Sequence, residues 1–411
     1  MNKLFLFEPE LKKARGHHLD HLIETSIFFK KKKIIWITNK NFKHKKYFIP
    51  SNVKVLKKIN TDSTSVDSKY SLLKNFFLLI NLFIKNIYYL IKFLFNNNKN
   101  FFIAFKLNNY LLPKYFDTFY KSINNFKFSK YDNLIVQSAR IKDIELFSFC
   151  AIFLPNLPKI HFKILVMHKK NKIIKIFKII NFLKKLNFLN KKIYFYVENH
   201  NQKKEFYKNK IKNISVFKGV YSFSTKSDVK RKHILGFLGD SRKDKGFEKL
   251  PNLISSLSKS ELNFNYYIQI TNLEEELEGA KKELVYMAKN SNKINIFYNY
   301  LDFFEYRKLL KKITIYPILH DTNRIANVAS GIFFSCITNE IPMILPRYSK
   351  NLTKFLKFNS FLKAHNIDSY KNKIIKIAEN YSYYLVEVKK ESKNYKQQLL
   401  KNDLIKNINK S

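Results

Sequence analysis

A serine and a glycine stand where they could open a ligand-binding helix. Ser330 and Gly331 precede the apolar run I-F-F, and Pro342 separates this segment from the strand-like M-I-L of residues 343–345. A serine hydroxyl can cap a helix, and a glycine lets a ligand approach the exposed backbone amides, where an anion is favoured. The pair predicts an anion site at a helix start, although a cap without a ligand fits the same residues.

Basic side chains follow a strand pattern earlier in the chain. Residues 234–247, I-L-G-F-L-G-D-S-R-K-D-K-G-F, are typical of a buried strand that runs into a glycine-containing loop, with a helix predicted over 250–257. Arginine binds a diphosphate as a bidentate fork and lysine binds it as a point charge, so Arg242 and Lys245 could neutralise one together. The alternative is a solvated basic turn in a lysine-rich chain.

Histidines stand at two places where strand or helix ends are predicted. His168 follows the strand-like run 160–167, and His17 and His18 follow Gly16 at the start of a helix predicted over 19–29. A helix N-terminus lowers the pKa of a histidine, so a neutral imidazole there could bind a substrate hydroxyl. We expect His168 and His17 to contact substrate, while capping or solvated loop histidines fit the same positions.

Alternating strands and helices must position these groups. Strands are predicted at 3–7, 34–37, 134–136, 160–167 and 192–197, and again at 234–238, 265–270, 313–319 and 343–345. Ligands of doubly wound sheets bind beyond the carboxyl ends of the strands. The pattern predicts an α/β protein with two Rossmann-like domains, over 1–220 and 230–411, that meet at a linker rich in serine, lysine and threonine near residue 225.

Together the two motifs resemble a known pattern. A strand, G-x-x-R-x-x-K-G-F and a helix, followed later by a strand ending at Pro317, S-G, a helix and x-P before a strand, are similar to the C-terminal half of a GT-B glycosyltransferase of the family-4 type. The resemblance implies two domains facing across a cleft, a nucleotide-sugar donor and transfer of a hexose. It also implies that the last helices cross back to the first domain.

Site residues are implied in the same way. The donor diphosphate would face Arg242, Lys245 and Gly246 and the helix start at Ser330 and Gly331. Gly16 and His18 would belong to a loop near the acceptor, a glycan or lipid-linked sugar of polysaccharide or cell-envelope synthesis. The resemblance further implies a retaining reaction without a cofactor or a metal, because Arg242 and Lys245 supply the charge and no D-x-D follows a strand.

The chain departs from the family pattern at three positions. Ser335 and Asn327 stand where the family usually has acidic residues that bind the donor ribose or sugar, and Glu340 stands where it usually has glycine. Serine and asparagine can hydrogen-bond a hydroxyl, but neither makes the charge-assisted bond of a carboxylate. These substitutions bear on donor binding and on activity itself.

Composition limits the classes of partner. The 411 residues contain 77 Lys and Arg against 31 Asp and Glu, a formal net charge of +46 that attracts phosphorylated donors, anionic membrane surfaces or nucleic acid. No nucleic-acid-binding module is recognisable, so we expect no nucleic-acid partner. Two cysteines without metal-ligand spacing, and an N-terminal apolar run too short for a signal peptide, are typical of a cytoplasmic protein.

The segment 72–95 is the most hydrophobic of the chain. Its polar residues Lys74, Asn81, Lys85 and Lys92 fall on one helical face, which is costly in a membrane span. A buried domain helix and a helix lying on the inner face of a membrane both fit. Two non-enzymatic alternatives also remain, a degenerate glycosyltransferase-like scaffold and a basic nucleic-acid-binding protein.

Overall fold

A computed structural model describes most of the chain. The described residues are 2–8, 11, 17–43, 47–59, 126, 128–140, 143–144, 147, 158–164, 193–212, 214–217, 219–221, 223–224, 233–321 and 330–409. Gly16, Asn327 and His168 lie outside these ranges, as do Cys150 and the apolar segment 72–95.

A parallel sheet of seven strands forms the N-terminal unit of the described structure. Its order is β3-β2-β1-β4-β5-β6-β7, so the chain reverses direction across the sheet between β1 and β4. The strands are β1 (Leu4–Glu8), β2 (Ile34–Asn39), β3 (Val53–Ile59), β4 (Asn133–Ala139), β5 (Lys159–Ile164), β6 (Ile193–Val197) and β7 (Ile214–Val216).

Continuous apolar runs explain why these strands lie inside a sheet covered on both faces. Every residue of β1 and of β2 is buried, and β4 is buried except at Ser138. Strands of parallel sheets are buried on both faces, so their sequences are apolar throughout rather than alternating. The predicted strands at 3–7, 34–37, 134–136 and 192–197 are therefore confirmed, whereas the strand predicted at 160–167 is described only as far as Ile164.

A second parallel arrangement forms the C-terminal unit. Strands β10-β9-β8 and β11-β12-β13 form two sheets joined by a parallel bridge between Leu235 and Ile315. A Cβ atom on Gly236 would lie 2.3 Å from Cδ1 of Ile313, so glycine permits this close approach. The strands are β8 (His233–Phe237), β9 (Phe264–Gln269), β10 (Ile294–Phe297), β11 (Tyr316–Pro317), β12 (Met343–Pro346) and β13 (Phe361–Ala364).

Helices connect the strands and cover the sheets. In the described residues they are α1 (His17–Phe28), α2 (His200–Lys208), α3 (Leu250–Ser258), α4 (Glu278–Lys289), α5 (Phe303–Lys312), α6 (Gly331–Thr338), α7 (Lys350–Thr353), α8 (Ile367–Glu379), α9 (Tyr381–Leu400) and α10 (Asp403–Asn409). None of the helices described is long and apolar enough to cross a membrane.

The last helix packs on the N-terminal sheet although it follows the C-terminal one. Its Leu404, Ile405 and Ile408 lie in the same apolar core as Leu6 and Trp36. The Lys32 ammonium donates to the Ile408 carbonyl at 2.8 Å, and the Asn402 side-chain amide donates to the Val216 carbonyl at 2.8 Å. Residues near 400 therefore join the two units a second time, beside the segment that follows β7.

Two predictions about the C-terminal region are wrong. The sequence of residues 352–363 predicts a helix, but α7 ends at Thr353 and residues 361–364 form β13. Pairing with β12 decides this, because it overrides the helix propensity of Leu362, Lys363 and Ala364. The sequence also predicts a single helix over 384–404, but α9 ends at Leu400 and α10 begins at Asp403, with Lys401 and Asn402 between them.

Candidate functional site

A cavity of about 350 Å³ opens between the two units. Its C-terminal wall comes from the residues after β8 and β11 and from the start of α6, and its N-terminal wall comes from α1 and Glu198. Because β8 and β11 are neighbours whose connections leave in opposite directions, this is the switch point of the C-terminal unit. Such positions bind ligands in doubly wound proteins.

The loop between β8 and α3 is shaped by two glycines. Gly239 has φ +120° and Gly246 has φ +76°, conformations that residues with a Cβ atom rarely adopt. A Cβ on Gly246 would lie 2.3 Å from the Leu319 carbonyl oxygen. The glycine therefore lets this loop close against the residues that follow β11, and both segments line the cavity.

Lys245 is the cation that this loop brings to the cavity. Its ammonium lies 3.4 Å from Asp240 Oδ2, and each side chain is about one quarter exposed. Burial alone would raise the pKa of Asp240, but Lys245, Asn272 and Arg242 together lower it. The carboxylate therefore stays charged beside the ammonium, and the pair can exchange partners when an anion enters.

Arg242 lies in the same loop but is not among the residues that line the cavity. Its guanidinium donates to both carboxylate oxygens of Asp244, at 3.0 and 2.9 Å. A carboxylate two residues away gives arginine the planar bidentate partner that a diphosphate would otherwise provide. The role of Arg242 toward a diphosphate thus stays a prediction, to be weighed against this intramolecular pair.

The start of α6 faces the cavity as an open helix end. Ser330 is the N-cap residue, but its hydroxyl makes no capping bond, contrary to the prediction. The hydroxyl oxygen is buried and has no hydrogen-bond partner among the described residues. The first amides of a helix have no partner within it, so the cavity presents donors at Gly331 and Ile332.

Two of the positions at which the chain departs from the family pattern lie in α6 and shortly after its end. Ser335 lines the cavity, while the helix ends at Thr338 and Glu340 follows in a left-handed conformation with φ +55°. Glycine adopts that conformation without strain, which explains the family's preference at position 340. A serine hydroxyl at 335 can bind a sugar hydroxyl but not with a full charge.

The N-terminal wall is acidic, in contrast to the whole chain. Asp20 and Glu24 lie one turn apart on α1, with His21 beside them, and Glu198 follows β6. Sequence reasoning missed Asp20, His21 and Glu24, although the spacing of Asp20 and Glu24 in a predicted helix was visible. His320 and Arg307 were also missed, and His320 could have been found as a histidine following the strand that ends at Pro317.

Asp20 should give the stability of the protein a measurable pH dependence. Burial, and secondly the nearby Asp302, raise the pKa of Asp20 to about 6 from 3.8. The folded state therefore holds this proton more tightly than the unfolded state, and the resulting stability is full below pH 3.8 and lost as the pH rises through 6. Asp20→Asn should stabilise the protein more at pH 8 than at pH 4, by on the order of 2 kcal/mol.

Urea unfolding of both proteins at the two pH values measures this difference. Glu261→Gln is the matched control, because Glu261 is exposed and lines no part of the cavity. An Asp20→Asn gain of the same size at pH 4 and pH 8 would contradict the buried, proton-binding state of Asp20.

The predicted N-terminal histidines lie apart from the cavity lining, or outside the described residues. His17 begins α1, and the His18 Nδ1 atom lies 3.3 Å from Glu8 Oε2 and 3.5 Å from Ser138 Oγ. Glu8 ends β1 and Ser138 is near the end of β4, so His18 sits at the switch point of the N-terminal sheet. No described group of three or more His, Cys, Asp or Glu side chains could hold a metal ion.

Comparisons with solved structures identify the architecture. Anabaena HepE in complex with UDP superimposes with a TM-score of 0.58 over 100% of this chain and 98% of that one, at 9% identity. A glycosyltransferase from Rickettsia africae gives a TM-score of 0.56 over 99% and 95%, at 13% identity, and TarM gives 0.59 over 100% and 99%, at 12% identity. A comparison with protein-family models gives no match, and neither does one with curated proteins.

These similarities cover 95–100% of each chain. Together with the parallel strands of the two units, they confirm the predicted fold class. The chain therefore has the GT-B fold, two Rossmann-like units that face each other across a cleft.

Proposed function

We propose that this protein is a glycosyltransferase that moves a hexose from a nucleotide-diphosphate sugar to a glycan or lipid-linked acceptor. The observation that carries the proposal is the meeting of Lys245 and the open start of α6 in one cavity at a strand switch point. An ammonium group and unpaired helix amides together suit a diphosphate. The solved structures of HepE with UDP and with UDP-glucose support UDP-glucose as the first donor to test.

The reaction would break the bond between the anomeric carbon and the diphosphate oxygen, and the diphosphate would leave with the electron pair. Lys245 and the amides at Gly331 would stabilise its growing negative charge, which is why we propose that no metal ion is needed. The oxygen of the acceptor hydroxyl would form the new bond to the anomeric carbon as its O–H bond breaks, and the proton would pass to the departing diphosphate oxygen. Closure of the two units would exclude water. Retention of configuration is the outcome that the family resemblance implies.

The acceptor would approach along α1, because that helix forms the wall opposite Lys245. Asp20, Glu24 and Glu198 offer carboxylate oxygens to the hydroxyl groups of a sugar. A net charge of +46 supports peripheral contact with an anionic membrane, where lipid-linked acceptors are found.

Thermal unfolding with nucleotides tests the proposal. UDP-glucose and UDP at 100 times their dissociation constants should stabilise the wild type by about 2.7 kcal/mol at physiological salt, and GDP with GDP-mannose serve as the second pair. AMP and inorganic phosphate are the controls for simple charge attraction. If all four nucleotides act no better than phosphate, the cavity is not a donor site.

A scaffold without activity is the second candidate, because Ser335 lines the cavity where the family has a carboxylate. A scaffold would bind the nucleotide sugar but would release no sugar from it, with or without acceptors. Proton NMR of the donor during incubation with glycan acceptors separates the two, and the anomeric coupling of any product reports retention or inversion.

A further inference from the structure

Tyr221 lies between the two units, in the segment that leaves the N-terminal sheet. Its ring stacks on Phe334 of α6, with centroids 5.5 Å apart, and meets the edge of the His21 ring of α1 at 5.8 Å. These contacts hold the ring in place from both sides of the cleft. The side chain lines the cavity and is half-buried.

Two glycines leave room around this tyrosine. Gly219 has φ +104°, and a Cβ there would lie 3.3 Å from the tyrosine Cε2. Gly331 lies at the start of α6. Among the described residues, the only atom within 4 Å of a Cβ placed on it is the Tyr221 hydroxyl oxygen, at 3.9 Å. The space in front of the hydroxyl is therefore open and adjoins the helix start to which we assign the diphosphate.

The hydroxyl group makes no hydrogen bond within the described part of the chain, although it faces a polar cavity. Burial raises the pKa of Tyr221 well above 10, and the negative charges of Glu198 and Glu24 raise it further. The group is thus an O–H donor at neutral pH, with the two carboxylates of Glu198 and Glu24 nearby. A donor in such a place is expected to find a partner in a ligand or in water.

We propose that the Tyr221 hydroxyl binds a hydroxyl group of the transferred sugar and holds that sugar at the start of α6. A sugar hydroxyl can accept from the tyrosine and donate to a carboxylate, which matches the surroundings of Tyr221. A diphosphate oxygen only accepts, and two carboxylates would repel it. This inference rests on the proposed function and adds a residue that selects the sugar rather than the nucleotide.

Tyr221→Phe tests the inference because it removes the hydroxyl and keeps the ring contacts. Isothermal titration should show about 10-fold weaker binding of UDP-glucose, while UDP binds as it does to the wild type. GDP-mannose and GDP are the parallel pair. Tyr286→Phe is the matched control, since Tyr286 is 69% exposed and lies outside the cavity lining.

A second variant fills the space from the opposite side. Gly331→Ala places a methyl group 3.9 Å from the hydroxyl and within 4 Å of no other atom of the described residues, so the fold should tolerate it. It should weaken UDP-glucose at least as much as Tyr221→Phe does. Gly279→Ala in α4, where a Cβ meets nothing within 4 Å, is the control and should leave UDP-glucose binding unchanged.

Each result separates this inference from the proposed function. Equal weakening of UDP and UDP-glucose by Tyr221→Phe would assign the hydroxyl to the diphosphate and overturn the sugar contact. Unchanged binding of both would overturn the inference and leave the proposed function intact. A wild type that binds none of the four nucleotides would overturn both.

Discussion

Gly246→Ala should lower the free energy of unfolding by about 2–5 kcal/mol, the largest stability effect that we expect from a single methyl group here. The residue has φ +76°, which is unfavourable for alanine, and the added Cβ would lie 2.3 Å from the Leu319 carbonyl oxygen. That neighbour is backbone, so it cannot rotate away as a side chain would. Either the loop before α3 or the segment after β11 must move.

Urea unfolding measures the loss, and Gly279→Ala provides the control for glycine replacement itself. Alanine at position 279 meets no atom within 4 Å in α4 and should stabilise the protein by about 0.5–1 kcal/mol. Because Gly246 follows Lys245, the Gly246→Ala variant should also lose part of its nucleotide binding. A Gly246→Ala protein as stable as the wild type would show that the loop does not pack against Leu319 in this way.

Lys245→Ala should weaken binding of the donor diphosphate on the order of 100-fold. The change removes a charged donor. It also leaves the Asp240 carboxylate in the same cavity without the ammonium group that lies 3.4 Å away in the wild type. Both effects act against an anionic ligand. Titration of UDP into the variant measures the loss.

The double variant Lys245→Ala with Asp240→Asn separates these two causes. It should recover part of the affinity, because the repelling carboxylate is gone while the lysine is still missing. Lys243→Ala is the control, since Lys243 is exposed and pairs with Glu276 at 3.0 Å. UDP affinity that is equal in Lys245→Ala and wild type would remove Lys245 from the donor site.

Arg242→Ala decides between the sequence prediction and the pairing seen in the structure. The bond to Asp244 holds the guanidinium outside the cavity lining, which predicts nearly unchanged UDP affinity. A loss as large as that of Lys245→Ala would mean that a bound diphosphate draws the arginine away from Asp244.

Long apolar runs made most of the strands predictable from sequence. Strands β1 and β2 are continuous buried runs, so local pattern and tertiary environment agree. The failure at residues 361–364 has the opposite cause. That short edge strand is defined by its neighbour β12 rather than by its own residues.

The site was less predictable because its residues come from distant segments. Gly246 and Lys245, in the loop after β8, belong to a local sequence motif and could therefore be predicted. Tyr221, in contrast, is positioned by α1, α6 and two separate glycines. No spacing in the sequence predicts that these segments lie close together. Arg242 and Asp244 are close in the sequence, but the sequence alone does not predict that their side chains pair.

The return of α10 to the first sheet has a consequence for how the protein is made. Leu404, Ile405 and Ile408 complete the core around Leu6 and Trp36, yet the ribosome adds them after every described strand of both units. The N-terminal unit, which is synthesised first, therefore keeps part of its apolar surface exposed until α10 is made. The C-terminal unit can finish folding before that. The N-terminal unit is thus the first to be synthesised and the last to complete its core.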